Sequence, residues 1–253
     1  ISTGEKATLP VRVSALGEAG HASTPDAGAN AVYRLARLLD RLGTHRPDRV
    51  LTPQVRAMLE ALLGSVDGDL DGAIERVRVL HPDLALDLTP VLGATVAPTR
   101  LRASTALNVI PARASVDCDC RLLPGATAEA LEAELRRTLG DDIPYEVEFL
   151  DGIVGGSSSP VGTPLYAACQ SFLDEHDPGA ILLPILLTGF CDMHYLREAF
   201  GTVAYGFWPV RTTPLDVYLS GFHNRDERIH ADDLLHAIRF HLHAAHAIGA
   251  LAR

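Results

Sequence analysis

From Thr8 to Leu16 apolar and polar residues alternate, with Val11 and Val13 on one face and Arg12 and Ser14 on the other. That is the period of a half-buried strand. The stretch 17–28, rich in Gly, Ser, Pro and Asp, reads as an exposed loop. The period then changes: Ala31, Leu35, Leu38, Leu39 and Leu42 predict a helix capped by Asn30 and ended at Gly43. A second amphipathic helix is expected over Pro53–Leu63, a loop over 64–72 and a short helix over 73–80. Residues 86–103 read as extended, broken by Pro90 and Pro98. The clearest strand follows, with Val116, Cys118, Cys120 and Leu122 on one face and Ser115, Asp117, Asp119 and Arg121 on the other. Thr127 then caps a helix carrying Leu131, Leu135 and Leu139, and residues 145–150 alternate once more.

Without the helical insert, this order is the split β-α-β-β-α-β arrangement of a ferredoxin-like module, predicted to occupy residues 1–151. The segment 152–162, five of whose 11 residues are glycine or proline, is the best linker candidate. Beyond it the pattern is a helix over 164–176, an apolar strand over 180–187, a short helix over 192–200, a strand over 202–207 and a long helix from Ala231. Apolar strands separated by helices imply parallel pairing in an α/β layer. Two strands make too small a sheet, so residues 152–253 are expected to be the C-terminal portion of a larger α/β domain.

The 253 residues are 47% hydrophobic and 21% charged, with a net charge of −10, which argues against a nucleic acid or an anionic membrane as partner. Cys118, Cys120, Cys169 and Cys191 are spaced like neither a disulfide framework nor a zinc knuckle, so a reduced, cytoplasmic chain is expected. The Cys-x-Cys reads as half of a buried face. No signal peptide or membrane-length apolar run is present in the 253 residues.

Three stretches carry candidate chemistry: Gly20-His21-Ala22-Ser23-Thr24-Pro25 leading to Gly28-Ala29-Asn30-Ala31-Val32; Asn108-Val109-Ile110-Pro111 followed by Arg121-Leu122-Leu123-Pro124-Gly125; and His223-Asn224-Arg225-Asp226-Glu227-Arg228-Ile229. Singly, each has a bland reading: a solvated histidine, an arginine paired with Asp119, acids capping a helix. Together they resemble the motifs of the M20 family of metallopeptidases and amidohydrolases. The resemblance implies a ferredoxin-like lid that dimerises, followed by part of a zinc-peptidase domain. It also implies hydrolysis of an amide next to a free carboxylate, in an N-acyl amino acid or dipeptide, by two metal ions, zinc or alternatively cobalt or manganese.

By the same resemblance, His223 matches a metal ligand, and neutral imidazole suits zinc. His21 matches a lid histidine that crosses a dimer interface to hydrogen-bond the oxyanion of the partner's intermediate. Asn108 and Arg121 match residues that hold the substrate carboxylate, a task suited to a planar guanidinium. Thr188-Gly189-Phe190-Cys191-Asp192 stands where the family has a Gly-Gly-Thr-Asp turn, so Gly189 and Asp192 are expected to line the substrate pocket. Phe190 and Cys191 depart from that pattern and predict a narrower pocket; Asn224 replaces a glycine.

The family's remaining metal ligands lie upstream of the lid, and the chain contains no Glu-Glu pair. The 253 residues alone are therefore expected to bind no zinc tightly and to be inactive. A non-catalytic association module is the alternative. The His-x-Asp triplets at His81 and His230 read as chance, the second as helix capping, His236, His243 and His246 with Arg239 as the solvated side of the last helix, and His194 as open between a pocket and a structural role. No Gly-x-Ser-x-Gly elbow occurs.

Overall fold

The computed structural model describes residues 1–25, 29–66, 69–82, 88–221 and 224–249. Its elements run β1 (Ser2–Glu5), β2 (Ala7–Thr8), β3 (Val11–Leu16), β4 (Gly20–His21), α1 (Ala31–Thr44), α2 (Pro53–Leu63), α3 (Leu70–Leu80) and α4 (Thr89–Leu92). They continue through β5 (Thr95–Arg102), β6 (Val109–Ile110), β7 (Arg113–Leu122), α5 (Ala128–Leu139), β8 (Tyr145–Phe149) and β9 (Val154–Gly155). The last are α6 (Pro164–His176), β10 (Ile185–Leu187), α7 (Met193–Phe200), α8 (Leu215–Gly221) and α9 (Ala231–Ala247).

The predicted lid contains an antiparallel sheet in which β3 lies between β8 and β7, and β5 takes the far edge of β7. This is the spatial order of the ferredoxin-like split, with α1 and α5 on one face. Alternation explains the burial: Val116, Cys118, Cys120 and Leu122 meet Val11, Val13, Leu35, Leu38, Leu131, Leu135 and Leu139 in one core. The caps form as the side chains dictate, Asn30 accepting from Val32 N and Thr127 from Ala130 N. The first helix passes Gly43 and ends at Thr44, with His45 as its C-cap.

The segment 86–103 is not continuously extended. Over its described part, α4 precedes β5 because Pro90 is tolerated in a first helical turn. The helical insert has its own core, around Val55, Met58, Leu59 and Val77, which also takes in Leu186 of β10.

In the C-terminal part, the parallel pair is not made by 180–187 with 202–207. It joins β10, reduced to Ile185–Leu187, to β1 at the very start of the described chain, Glu5 standing opposite Leu187. Residues 202–207 form no strand, since Gly206 is taken up in an isolated bridge to Ser2. Nor is 152–162 a free tether. Val154 and Gly155 pair with Thr8 and Ala7, and Gly155, at φ +87°, lies so close beneath Phe190 that a Cβ would stand 2.8 Å from the Phe190 Cβ.

The face of α9 is the reverse of the expected one. His236, Ala237, Phe240 and Ala244 are buried against α6 around Phe172, while Leu234, Ile238 and Leu242 are exposed. Aromatic packing decides this: Phe172 stacks on His176 at 4.2 Å between ring centroids and meets the rings of His236, Phe240 and His243.

Candidate functional site

His21 lies in β4, a two-residue strand that pairs with β6, where it faces Val109. The Ala22 amide donates to Asn108 O at 3.0 Å, so His21 and Asn108, from two motif stretches far apart in sequence, share one projecting tip. Both His21 and Asn108 are exposed there, and His21 Nδ1 lies 2.8 Å from Ser23 Oγ. With Nδ1 also accepting from the Ser23 amide at 3.2 Å, Nε2 is the ring nitrogen left to donate.

Arg121 is at the other end of the sheet. β7 spans 10 residues, with Arg113 beside the tip and Arg121 next to last, so the ends are about 30 Å apart at roughly 3.3 Å per residue. Asn108 and Arg121 of one chain therefore cannot grip one carboxylate. Arg121 is half-buried and forked onto Asp119, Nε to Oδ1 at 2.6 Å and Nη2 to Oδ2 at 2.9 Å. Asp119 thus fixes the guanidinium plane, a positioning contact that the sequence offered only as a bland ion pair.

The turn 188–192 belongs to the Arg121 end. Thr8 stands opposite Arg121, Ala7 opposite both Leu122 and Gly155, and Phe190 packs on Gly155. Gly189 and Asp192 are exposed. Behind the turn is a group that the sequence did not signal. Glu5, fully buried, accepts from the Cys191 amide at 3.0 Å, the Cys191 thiol at 2.8 Å and Ser157 Oγ at 3.1 Å. Arg197 Nη1 stands 3.5 Å from Glu5, and Arg197 also donates to Ser157, Ser159 and Ala204 O. The departures at Phe190 and Cys191 thus have local causes: the ring covers Gly155, and the thiol feeds Glu5.

Next to Glu5, Lys6 points the opposite way, donating to Pro90 O at 2.7 Å and Gly93 O at 2.8 Å. Burial and then the nearby Arg121 charge bring its pKa down to about 8. Burial, followed by the bond to Glu5, pushes the Cys191 thiol up to about 11. Burial also raises Cys118 and Cys169 to about 11 and Cys120 further, so none of the four is an activated nucleophile.

His223 lies outside the described residues, as do Gly28 of the first motif and Asp83 of the His81 triplet. His194 is buried in α7, with Nε2 3.2 Å from Glu198. Among the described residues no group of three or more His, Cys, Asp or Glu is placed to hold a metal ion. The described side chains therefore do not make the zinc centre, and no step through a metal is assigned to them. No described helix is long and apolar enough to cross a membrane.

The family model of the peptidase dimerisation domain matches residues 3–146. No curated protein sequence is significantly similar to the chain. Solved structures share the fold. A dipeptidase of Saccharomyces cerevisiae, Dug1p, superposes with a TM-score of 0.63 at 12% identity over 100% of this chain and 56% of its own. A metallo-carboxypeptidase of the M20 family from Sulfolobus solfataricus gives 0.59 at 17% identity over 99% and 60%. Human carnosine dipeptidase 1 gives 0.56 at 15% identity over 98% and 55%. The chain thus spans little more than half the length of these structures.

Proposed function

The chain belongs to the M20 peptidase family through its dimerisation domain, and on that premise we propose that it is the self-associating, substrate-holding part of an amide hydrolase. Residues 1–151 act as the lid, with β1 tied into the neighbouring layer, and 152–253 as the C-terminal part of a catalytic domain. The substrate is an N-acyl amino acid or dipeptide whose amide lies next to a free carboxylate. Arg121, oriented by Asp119, grips that carboxylate beside the pocket turn of Gly189 and Asp192. Asn108 and His21 come from a second copy, His21 donating to the oxyanion that forms as the carbonyl is attacked. His223 is this chain's one contribution to a zinc centre whose other ligands the family carries upstream of the lid.

The observation that carries this reading is the placement of His21 and Asn108 at one end of β7 and Arg121 with the turn at the other. A two-fold pair of chains would bring an end of each kind together. The soluble setting assumed for the reaction is the cytoplasm, in keeping with four unpaired cysteines.

Sedimentation equilibrium combined with NMR titration tests it. The chain is expected to be a dimer in which N-acetyl-amino acids, but not their methyl esters, shift the Arg121 Nε and His21 ring signals. Equal shifts from acid and ester would overturn the carboxylate role, and a monomer at high concentration would overturn the shared site. With zinc added, the 253 residues alone are expected to release no amino acid from these substrates, and turnover would show that they hold a complete centre. A dimer indifferent to substrate would favour a purely associative module.

A further inference from the structure

The open face of the lid sheet, opposite α1 and α5, carries a second arginine cluster that the proposed reaction does not use. Asp117 projects there from β7, 6% exposed, with Arg12 opposite it on β3 and Arg100 opposite it on β5. A bulge between Pro98 and Arg100 sets that register, and Arg102 follows two residues on, on the same face. Asp117 Oδ1 accepts from Arg12 Nε at 2.7 Å. Its Oδ2 is approached by Arg12 Nη2 at 3.3 Å, Arg100 Nε at 2.8 Å, Arg100 Nη2 at 2.7 Å and Arg102 Nη1 at 2.7 Å.

A carboxylate oxygen has about two lone pairs, so the four donors on Oδ2 exceed what it can accept. The charges do not balance either. Three guanidiniums face Asp117 and, 3.4 Å from Arg12 Nη1, Glu148, leaving a local excess of one positive charge in a chain of net charge −10. Cross-strand stabilisation accounts for Arg12, which is half-buried. It accounts poorly for Arg100 and Arg102, whose side chains are 63% and 45% exposed, because both crowd the one oxygen that Arg12 also approaches and the cations repel each other.

We propose that Arg100 and Arg102, backed by Arg12, are an oxyanion site on the open face of the lid sheet that receives a carboxylate of a small molecule or peptide. The unused N–H groups of the two exposed forks supply bidentate donors for a planar carboxylate. Asp117 holds the three cations at hydrogen-bonding distance from one point and so limits the entropy lost when an anion arrives. This site is distinct from Arg121, whose fork Asp119 occupies.

Arginine Nε–H NMR signals, followed during titration with sodium acetate at constant ionic strength made up with chloride, test the site independently of any hydrolysis. Arg100 and Arg102 signals are expected to shift saturably, and R100Q/R102Q to weaken acetate binding about tenfold. R137Q, at an exposed arginine paired with Asp48, is expected to bind acetate as the parent does. R100Q alone, which leaves the Arg12–Asp117 pair intact, serves if the double variant does not fold, and is expected to weaken the Arg102 response. Equal shifts in chloride alone, undiminished binding in these variants, or tighter binding of inorganic phosphate than of acetate would overturn the assignment.

Discussion

Replacing Arg197 by Met removes the one cation that, among the described residues, is paired with Glu5, whose carboxylate is fully buried. Removing one partner of a buried pair costs about 3–5 kcal/mol, because the other charge is stranded. Here the lower end applies: Glu5 keeps the Cys191 amide, the Cys191 thiol and Ser157 as neutral donors, and the Glu5–Arg197 separation is 3.5 Å. The expected loss is about 3 kcal/mol for Arg197→Met and about 2 kcal/mol for Glu5→Gln, which retains an acceptor but leaves the guanidinium with only hydroxyl and carbonyl oxygens. With both changed, no charge remains to be stranded, so the double variant is expected to be about 2 kcal/mol more stable than the sum of the single losses predicts. Urea unfolding of the four proteins, at matched m-values, measures this coupling. Additivity to within about 0.5 kcal/mol would refute the pairing. An independent readout is alkylation of Cys191 at pH 8.5, which should quicken in Glu5→Gln because the carboxylate that raises the thiol pKa is gone.

Three further outcomes follow from the same geometry. Leu38, with 0% exposure at the centre of the lid core, should cost about 2–5 kcal/mol as Leu38→Ala in denaturant unfolding, and a loss below about 1 kcal/mol would contradict its position. Burial of Asp233 acts to raise its pKa, but Thr213 Oγ1 and the amides of Arg211, Thr212 and Thr213 outweigh it and hold the carboxyl well below its ordinary 3.8. Its contribution is therefore present above that value and lost as pH falls below it. Asp233→Asn should cost about 1–3 kcal/mol at pH 7 and flatten the acid limb of stability, whereas an unchanged acid limb would refute the role. Burial, then the charge of Arg211, keeps the His236 imidazole below its ordinary 6.5, so the unfolded chain takes up the proton first. Stability should hold above pH 6.5 and fall below it by at most about 1.4 kcal/mol per pH unit. Equal slopes in His236→Phe and the parent would refute this.

The lid was legible because one period governs each of its elements. The alternation of Val116, Cys118, Cys120 and Leu122 gives the buried face of β7 directly, and Asn30 and Thr127 announce the helix starts through their own hydrogen bonds. The C-terminal part was less legible for two physical reasons. Its parallel pair is made between residues 2–5 and 185–187, a separation that no local pattern reports, and Ser2, Thr3, Gly4 and Glu5 have no apolar signature although all four are buried. On α9 Leu234, Ile238 and Leu242 are large aliphatic side chains, whereas the opposite side mixes Phe240 and two alanines with Asp233 and His236, so hydrophobicity alone selects the wrong face. The face that packs is chosen by ring contacts to Phe172, to which His236 and His243 contribute their aromatic rings, His243 also hydrogen-bonding Ser171 Oγ at 2.8 Å.

The motifs give residue types but not the distance between them, and that distance changes what the site is. His21 and Asn108 are adjacent because β4 and β6 pair; Arg121 is far from both because a single uninterrupted strand lies between. A strand is stiff, so no side-chain rearrangement closes a gap of about 30 Å. On the proposed function, chemistry that needs both ends would bring them from separate chains, and self-association would then be a condition of substrate recognition rather than an accompaniment to it. It follows that mixing H21A chains with R121A chains, each inert on its own in a complete enzyme, should restore sites that combine the intact Arg121 of one with the intact His21 of the other. If random mixing gives no recovery above either variant alone, the two ends do not serve one site.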